Sequence, residues 1–340
     1  MVRRIYFFLI ILIIVLIVFA PAACTNKVIS SKSVSFSEND NKITKDNVLI
    51  DGKEINSALA VETFLADIAQ NITNNRLKID SLMPLGIDPH EFEPVPADFA
   101  KISKNKILII NGSGLEGWLE QMLRNTGNNN YIIEASKGLE NLVDFQSENN
   151  PEDNKTSENE KNHSGINPHF WLDPVFIIEY VKNISNELIK IDPDSKDIYQ
   201  INAQKYIAQL KDLDIWIKSK VSMLPESKRL IVTNHESLGY FASRYGFNIV
   251  GTIIPGFSTD ASITAKEFAG LIEAVKSSEV KVIFLETGSN PNLAEQLAAE
   301  TGIKVVYNLY THSLSGPDKE ASTYINMMKF NVNTIVNNLQ

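Results

Sequence analysis

The chain has 340 residues, of which 44% are apolar, 21% charged and 9% aromatic, an ordinary globular composition long enough for about two domains of ~150 residues. Acidic residues outnumber basic ones 41 to 32, for a formal net charge of −9, which excludes general nucleic-acid binding because that needs a basic face. A single cysteine excludes a disulfide framework or a Cys-based zinc module, and 16 glycines and 13 prolines exclude a collagen-like or Pro/Gly-rich chain.

Residues 1–23 read as a signal peptide. Arg3 and Arg4 precede an apolar run from Ile5 to Phe19, and small residues follow. Ala22-Ala23-Cys24 looks like the end of a bacterial lipobox, which makes Cys24 the lipidation site, although Pro21 stands where Leu or Val is usual. The alternative is an uncleaved anchor, since Ile5 to Ala23 is nearly long enough to span a bilayer. Either way the body is expected outside the cytoplasm, in a periplasm or on the outer surface, tethered to the cell membrane. Residues 24–45 are polar and without periodicity and read as a flexible tether.

The body alternates short apolar runs with helical patterns, the signature of α/β units with mainly parallel strands. Residues 46–193 are expected to form an N-terminal lobe with strands at Ser57–Val61, Leu77–Leu82, Lys106–Ile110 and Tyr131–Glu134. Residues 147–165 interrupt it with an acidic stretch that lacks the apolar residues needed to pack and should be a surface loop. Tyr199, Ala203, Tyr206, Leu210, Leu213, Ile217, Val221 and Leu224 then recur at alternating spacings of four and three, which keeps them on one helix face. This predicts a rigid linking helix over 194–224, roughly 45 Å long at 1.5 Å per residue and stopped by Pro225. Residues 225–340 are expected to form a C-terminal lobe with strands at Leu230–Thr233, Asn248–Thr252, Lys281–Leu285 and Lys304–Tyr307.

Four of the five histidines fall just after predicted strands or in the loops beyond them. They are His90, His169, His235 and His312, two in each half; His163 lies in the acidic loop. In parallel α/β sheets that edge is where ligands bind, so a cleft between two lobes can gather all four. Imidazole suits zinc, copper, nickel and iron, and four neutral imidazoles can close a tetrahedral shell around Zn²⁺. Glu236 beside His235 does not complete the H-E-x-x-H pattern of a zinc protease, because residue 239 is glycine, and Gly112-Ser113-Gly114 is too short for a dinucleotide fingerprint.

Gly86-x-Asp88-Pro89-His90-x-Phe92-Glu93-Pro94-x-Pro96-x-Asp98, Asn111-Gly-x-Gly-Leu-Glu-x-Trp118, Pro168-His-Phe-Trp-Leu-Asp-Pro174, and Tyr310-Thr-His-Ser-Leu-Ser315 with Tyr324-x-x-Met-Met-x-x-Asn331 carry a resemblance. From about Ser57 to Leu339 the chain resembles the zinc/manganese-binding lipoproteins of bacterial ABC importers. The resemblance implies two α/β lobes joined by one rigid helix, with metal between them. It implies His90 and His169 as the first two ligands. His235 would be the third, which is histidine in zinc-preferring and glutamate in manganese-preferring members. His312 falls where the fourth ligand is often Asp or Glu, so the chain departs there, and Glu286 or water is the alternative fourth ligand. Trp118 and Trp171 are expected near the lobe interface, and Glu116 and Asp173 either orient ligand histidines or cap helices.

The expected function is high-affinity capture of Zn²⁺ and its delivery to an ABC permease, by a monomer that is not an enzyme and has no nucleic-acid partner. Manganese import by the same architecture is the first alternative, an extracellular zinc hydrolase the second and a surface adhesin the third. A stiff linking helix implies small lobe movements in place of a wide hinge.

Overall fold

The computed structural model describes residues 48–50, 53–126, 130–141 and 166–340. The expected signal peptide, Cys24, the tether and the acidic loop with His163 lie outside the described residues. The elements run β1 (Val48–Ile50), β2 (Lys53–Ile55), β3 (Ser57–Ala60), α1 (Thr63–Thr73), β4 (Lys78–Ser81), α2 (Pro96–Lys104), β5 (Ile107–Ile110), α3 (Gly117–Thr126), β6 (Tyr131–Glu134), α4 (Pro174–Ile191) and α5 (Lys196–Val221). Then follow β7 (Leu230–Thr233), α6 (Gly239–Tyr245), β8 (Asn248–Thr252), α7 (Ala265–Ser277), β9 (Val282–Glu286), α8 (Asn292–Thr301), β10 (Lys304–Leu309) and α9 (Tyr324–Leu339). No helix among the described residues is long and apolar enough to cross a membrane.

Two four-stranded sheets form, in the orders β4-β3-β5-β6 and β10-β9-β7-β8, and every pairing within them is parallel. The expected α/β architecture of two parallel sheets is present, and the two sheets share one topology. In each, the first strand lies between the second and third, with the fourth outside the third. Strand order therefore reverses between β3 and β5 and again between β7 and β9, the switch points at whose carboxyl edge a parallel sheet opens a crevice. The antiparallel β1–β2 hairpin has no counterpart among the predicted strands. Its sequence signal is Asp51-Gly52 between short apolar runs.

Period-two burial in the strands explains how the layers stack. Ile107 and Ile109 of β5 and Val282 and Phe284 of β9 enter one central core, together with residues of α1, α4, α5 and α9. The alternate residues face outward into separate cores. Leu108 packs with Ile102, Leu119 and Met122, and Ile283 and Leu285 pack with Phe268, Leu271 and Leu297. Strands buried on both faces read as near-continuous apolar runs, as Ile107-Leu-Ile-Ile110 does. The central core is continuous across both sheets, so packing as well as helix α5 joins the halves.

All eight positions assigned to one face of the linking helix are buried. The helix is shorter than 194–224, because Pro193–Ser195 winds as a 3-10 turn and Leu224 N donates to Val221 O in a tightened final turn. Its 26 residues make it about 39 Å long. The same core holds Trp171, which is fully buried. Its ring stacks on Phe64 of α1 with centroids 4.6 Å apart. Its Nε1 donates to Thr311 O at 2.5 Å, and its carbonyl accepts from Tyr324 Oη at 2.8 Å. Burial of such a ring stabilises by roughly 2–3 kcal/mol, and these contacts run from the first sheet's helix to the last loop and helix of the second.

At the other end of α4, Arg76 Nε and Nη2 reach Asp192 Oδ2 and Oδ1 at 2.8 and 2.9 Å, and Tyr199 Oη donates to Oδ2 at 2.7 Å. Burial raises the Asp192 pKa, but Arg76 and Tyr199 outweigh it and hold the carboxyl below its usual range. Removing one partner of a buried pair strands the other charge, so Arg76→Met should cost about 3 kcal/mol in urea denaturation. The depressed carboxyl contributes stability above about pH 4, and this is lost as pH falls through its lowered folded value. The variant should therefore show a shallower acid limb than the parent.

Candidate metal centre

His90 lies in the loop between β4 and α2, and His169 in the segment that enters α4. His235 directly follows β7, and His312 follows β10. Each is thus carried beyond the carboxyl edge of the sheets or at the mouth of the central helix layer. Their Nε2 atoms converge. The Nε2 of His169 lies 3.1 Å from that of His90, 3.0 Å from that of His235 and 3.4 Å from that of His312. One nitrogen from each ring falls within 4.8 Å of all the others. His169 and His235 are fully buried, His312 is nearly so, and His90 forms the half-buried outer wall.

The other ring nitrogen decides where each lone pair points. The Nδ1 of His169 is 2.7 Å from Asn167 Oδ1, an acceptor that keeps the proton on Nδ1 and leaves Nε2 free as a donor to metal. The Nδ1 of His235 is 2.9 Å from Glu286 Oε1. The Nδ1 of His312 is 3.5 Å from Glu286 Oε2 and 3.6 Å from Asp88 Oδ2. Two of the four histidines also sit on the same backbone device. Asp88 Oδ1 accepts from His90 N at 2.9 Å, and Asn167 Oδ1 accepts from His169 N at 3.0 Å. In both, an Asx side chain bonds the amide two residues on across an intervening proline, an Asx turn that aims the ring.

Electrostatics keep most of the cluster neutral. Burial, reinforced by the neighbouring imidazoles, holds His169 well below the usual histidine range. Burial also lowers His90, against a smaller opposing pull from Asp88. It takes His312 down to about 3, against the charge of Glu286. His235 is the exception: burial would lower it, but the charge and proximity of Glu286 raise it above its usual value. Glu286 responds in the opposite sense, since His235 and His312 overcome burial and hold its carboxyl below the usual range.

Glu286, the alternative fourth ligand, therefore stands behind two rings on their Nδ1 side and outside the group of converging nitrogens. Glu116 and Asp173 do not touch a histidine. Glu116 accepts from the backbone N–H groups of Asn111 and Gly112 at 2.5 and 3.0 Å. Asp173 accepts from Val175 N at 2.9 Å as the cap of α4 and pairs with Arg244. Trp171 packs where the two sheets share their core, whereas Trp118 packs on Phe92 within the first sheet's outer cluster. The residues that do orient the histidines include Asn167 and Asp88, which the sequence reading passed over. Their signal is the repeated pattern Asp88-Pro-His90 and Asn167-Pro-His169.

The loops that carry the histidines are bonded across the cleft. Thr259 Oγ1 donates to Asp88 Oδ2 at 2.9 Å. Gly86 N donates to Ser313 Oγ at 2.8 Å, and Leu314 N donates to Thr63 Oγ1 at 2.9 Å. Gly86 and Gly288 both have positive φ. They meet so closely that a Cβ on residue 288 would lie 3.2 Å from Gly86 O, which leaves room for glycine and little else.

Comparison with known proteins follows the same lines. Residues 59–338 match the family model described as zinc-uptake complex component A, periplasmic. The manganese-binding lipoprotein MntA of Halalkalibacterium halodurans is 32% identical over 277 residues, covering 82% of this chain and 86% of that protein. The manganese ABC transporter substrate-binding lipoprotein PsaA of Streptococcus pneumoniae is 30% identical over 289 residues, covering 83% and 88%. Among solved structures, the Mn-bound periplasmic metal binding protein of Candidatus Liberibacter asiaticus has a TM-score of 0.70 at 26% identity, covering 84% of this chain and 99% of that one. The periplasmic zinc binding protein TroA of Treponema pallidum has a TM-score of 0.72 at 23% identity over the same shares, a likeness of fold. The hydrolase alternative falls with these matches. The chain belongs to the zinc-uptake complex component A family, the metal-binding lipoproteins that serve ABC importers as substrate-binding components, and is not an enzyme.

Proposed function

We propose that this protein captures Zn²⁺ between its two sheets with His90, His169, His235 and His312 and hands it to the permease of its importer. The observation that carries the reading is the convergence of four Nε2 atoms with no carboxylate oxygen among them. Zn–N bonds of about 2.0–2.1 Å place tetrahedral ligand nitrogens about 3.3–3.4 Å apart. The separations of 3.0 to 3.4 Å from His169 Nε2 are close to that edge. Manganese favours hard oxygen donors, while imidazole suits later metals. The names of MntA and PsaA favour the manganese alternative, and the donor set favours zinc.

In this reading residues 1–23 are removed as a signal peptide, Cys24 carries the lipid, and residues 24–45 tether a monomeric body to the outer face of the cell membrane. The lobes are residues 46–193 and 225–340. The site works by capture alone. Neutral imidazoles replace the ion's water, and the buried Glu286 carboxylate offsets part of its charge.

Calorimetric titration of the metal-stripped body, residues 46–340, tests the proposal. One tight zinc site per chain is expected, with manganese bound more weakly. His312→Ala should weaken zinc by about a hundredfold or more, one ligand's share of a four-ligand site. Tight manganese binding with weak zinc binding would overturn the zinc assignment. Unchanged zinc binding in His312→Ala would remove His312 from the shell.

Two pH effects follow from the imidazole environments. His90, His169 and His312 are lowered in the folded state, so the unfolded chain takes up protons that the folded chain refuses. Their contribution to stability is present above about pH 6.5 and lost as pH falls below it. His235 is raised and has the opposite sign: its contribution is full below about pH 6.5 and lost as pH rises through its folded value. The buried carboxyls of Asp67 and Glu116, raised to about 6 and about 7, titrate in the same window with the opposite sign to the three lowered rings, so the histidine share is read by difference: in the metal-free body the melting temperature of His312→Ala should fall less, relative to the parent's, as pH drops from about 7.5 to 5. Zinc and protons compete for the same ring nitrogens, so titrations in buffers of different ionisation enthalpy should report a proton release per ion that grows as pH falls from about 7.5 to 5.5.

A further inference from the structure

Glu286 ends β9 beside the switch point of the second sheet. Its carboxylate lies behind the two imidazoles that this sheet supplies. Oε1 is 2.9 Å from His235 Nδ1 and accepts from Ser237 Oγ at 2.9 Å. Oε2 is buried with no hydrogen-bond partner of good geometry, as is His235 Nδ1 despite its 2.9 Å approach to Oε1, and the His312 ring nitrogen 3.5 Å from Oε2 is the donor placed to satisfy it. A buried acceptor left without a donor is costly. Asp88 Oδ2 also faces His312 Nδ1, at 3.6 Å, but it already accepts the Thr259 hydroxyl.

A neutral imidazole has one N–H, and an acceptor at Nδ1 puts it there and leaves the lone pair on Nε2. A carboxylate is acceptor-only and has two oxygens, so a single carboxylate can hold two imidazoles in this tautomer at once. An amide in the same place could accept only from the ring that faces its oxygen, because the ring that faces its nitrogen would meet a donor. The fold uses each group accordingly. Asn167 serves one ring, His169, and Glu286 faces two.

We propose that Glu286 is a positioning residue that locks His235 and His312 together as Nε2 donors, so that the two imidazoles of the second sheet are competent for zinc only as a pair. The inference rests on the reading of the four histidines as zinc ligands. It also gives the departure at His312 a reason. Histidine can stand at the fourth position because the carboxylate behind His235 has a second oxygen to spare for it.

Glu286→Gln is the discriminating variant, nearly isosteric but with one acceptor and one donor group. One ring keeps its acceptor. The other meets an NH₂ group, must offer it a lone pair at Nδ1, and moves its proton to Nε2, where zinc would bind. Nitrogen-15 NMR of histidine-labelled, metal-free protein at alkaline pH reads the tautomers directly. Both His235 and His312 should be Nδ1–H in the parent, and one of them Nε2–H in Glu286→Gln. Zinc affinity should fall by about 10- to 100-fold, the usual effect of a lost outer partner. Glu286→Asp keeps two acceptor oxygens and should retain both tautomers, with a smaller loss of affinity. Circular dichroism of each metal-free variant establishes that it is folded. Two Nδ1–H rings in Glu286→Gln, or zinc affinity equal to the parent's, would overturn the proposal. A parent that shows both Nδ1–H tautomers but binds no zinc would leave the lock standing and sink the zinc reading instead.

Discussion

Four imidazoles aim their lone pairs at one point most readily when an acceptor faces the far nitrogen, and three of the four rings here have one. That preference shapes the centre of this molecule. A neutral ring left to itself can place its proton on either nitrogen, and four rings with one nitrogen each within 4.8 Å of all the others would otherwise place some protons inward. Asn167 stands behind His169, and Glu286 behind His235 and His312, where acceptors favour protons on the outward nitrogens. Asn167 also accepts from the backbone amide of His169, so one side chain holds both the ring and the backbone of that histidine. Asp88 shows this economy most clearly. It accepts from the amide of His90, faces the ring of His312, and takes the hydroxyl of Thr259 from across the cleft.

Holding such a site needs two sheet edges to stay in register with each other. The core supplies this. Apolar side chains from one face of each sheet meet the same layer of helices, and Trp171 ties α1, the loop after β10 and α9 through one ring and two hydrogen bonds. Relative motion of the halves would have to disturb that packing, which interiors resist because they are close-packed. The long helix is one part of this core and is not a lone strut between separate bodies.

The site also separates two jobs that a carboxylate could do together. Relatives of this chain are named for manganese, an ion that favours oxygen. Here the nearest carboxylates lie one imidazole away from the point where the nitrogens converge. From there they face the outer nitrogens of the rings, while the atoms that converge are all nitrogen. The arrangement keeps Glu286 ionised in a buried position by means of the same two histidines that it orients.

Much of this was legible in the sequence, for local reasons. Apolar runs bounded by turns located the eight strands of the two sheets, because strands buried on both faces must be apolar throughout. The four-and-three spacing from Tyr199 to Leu224 determined one buried helix face, and the His90 and His169 motifs marked two loops that bear function. The β1–β2 hairpin escaped because three-residue strands carry almost no periodicity. Which strands pair was not legible either, so the repeated strand order of the two sheets emerged only in three dimensions. Glu116 and Asp173 were read as either histidine partners or helix caps, and both serve backbone amides, while Glu286, 51 residues after His235, faces two rings. What the sequence determined by itself is the eight strands of the two sheets, the buried face of the long helix and the family, since these depend on residue type and short-range spacing. What only the tertiary structure decided is which side chain stands behind each ring. That depends on directions and distances of a few ångströms between segments far apart in the chain, and spacing along the chain carries no record of them.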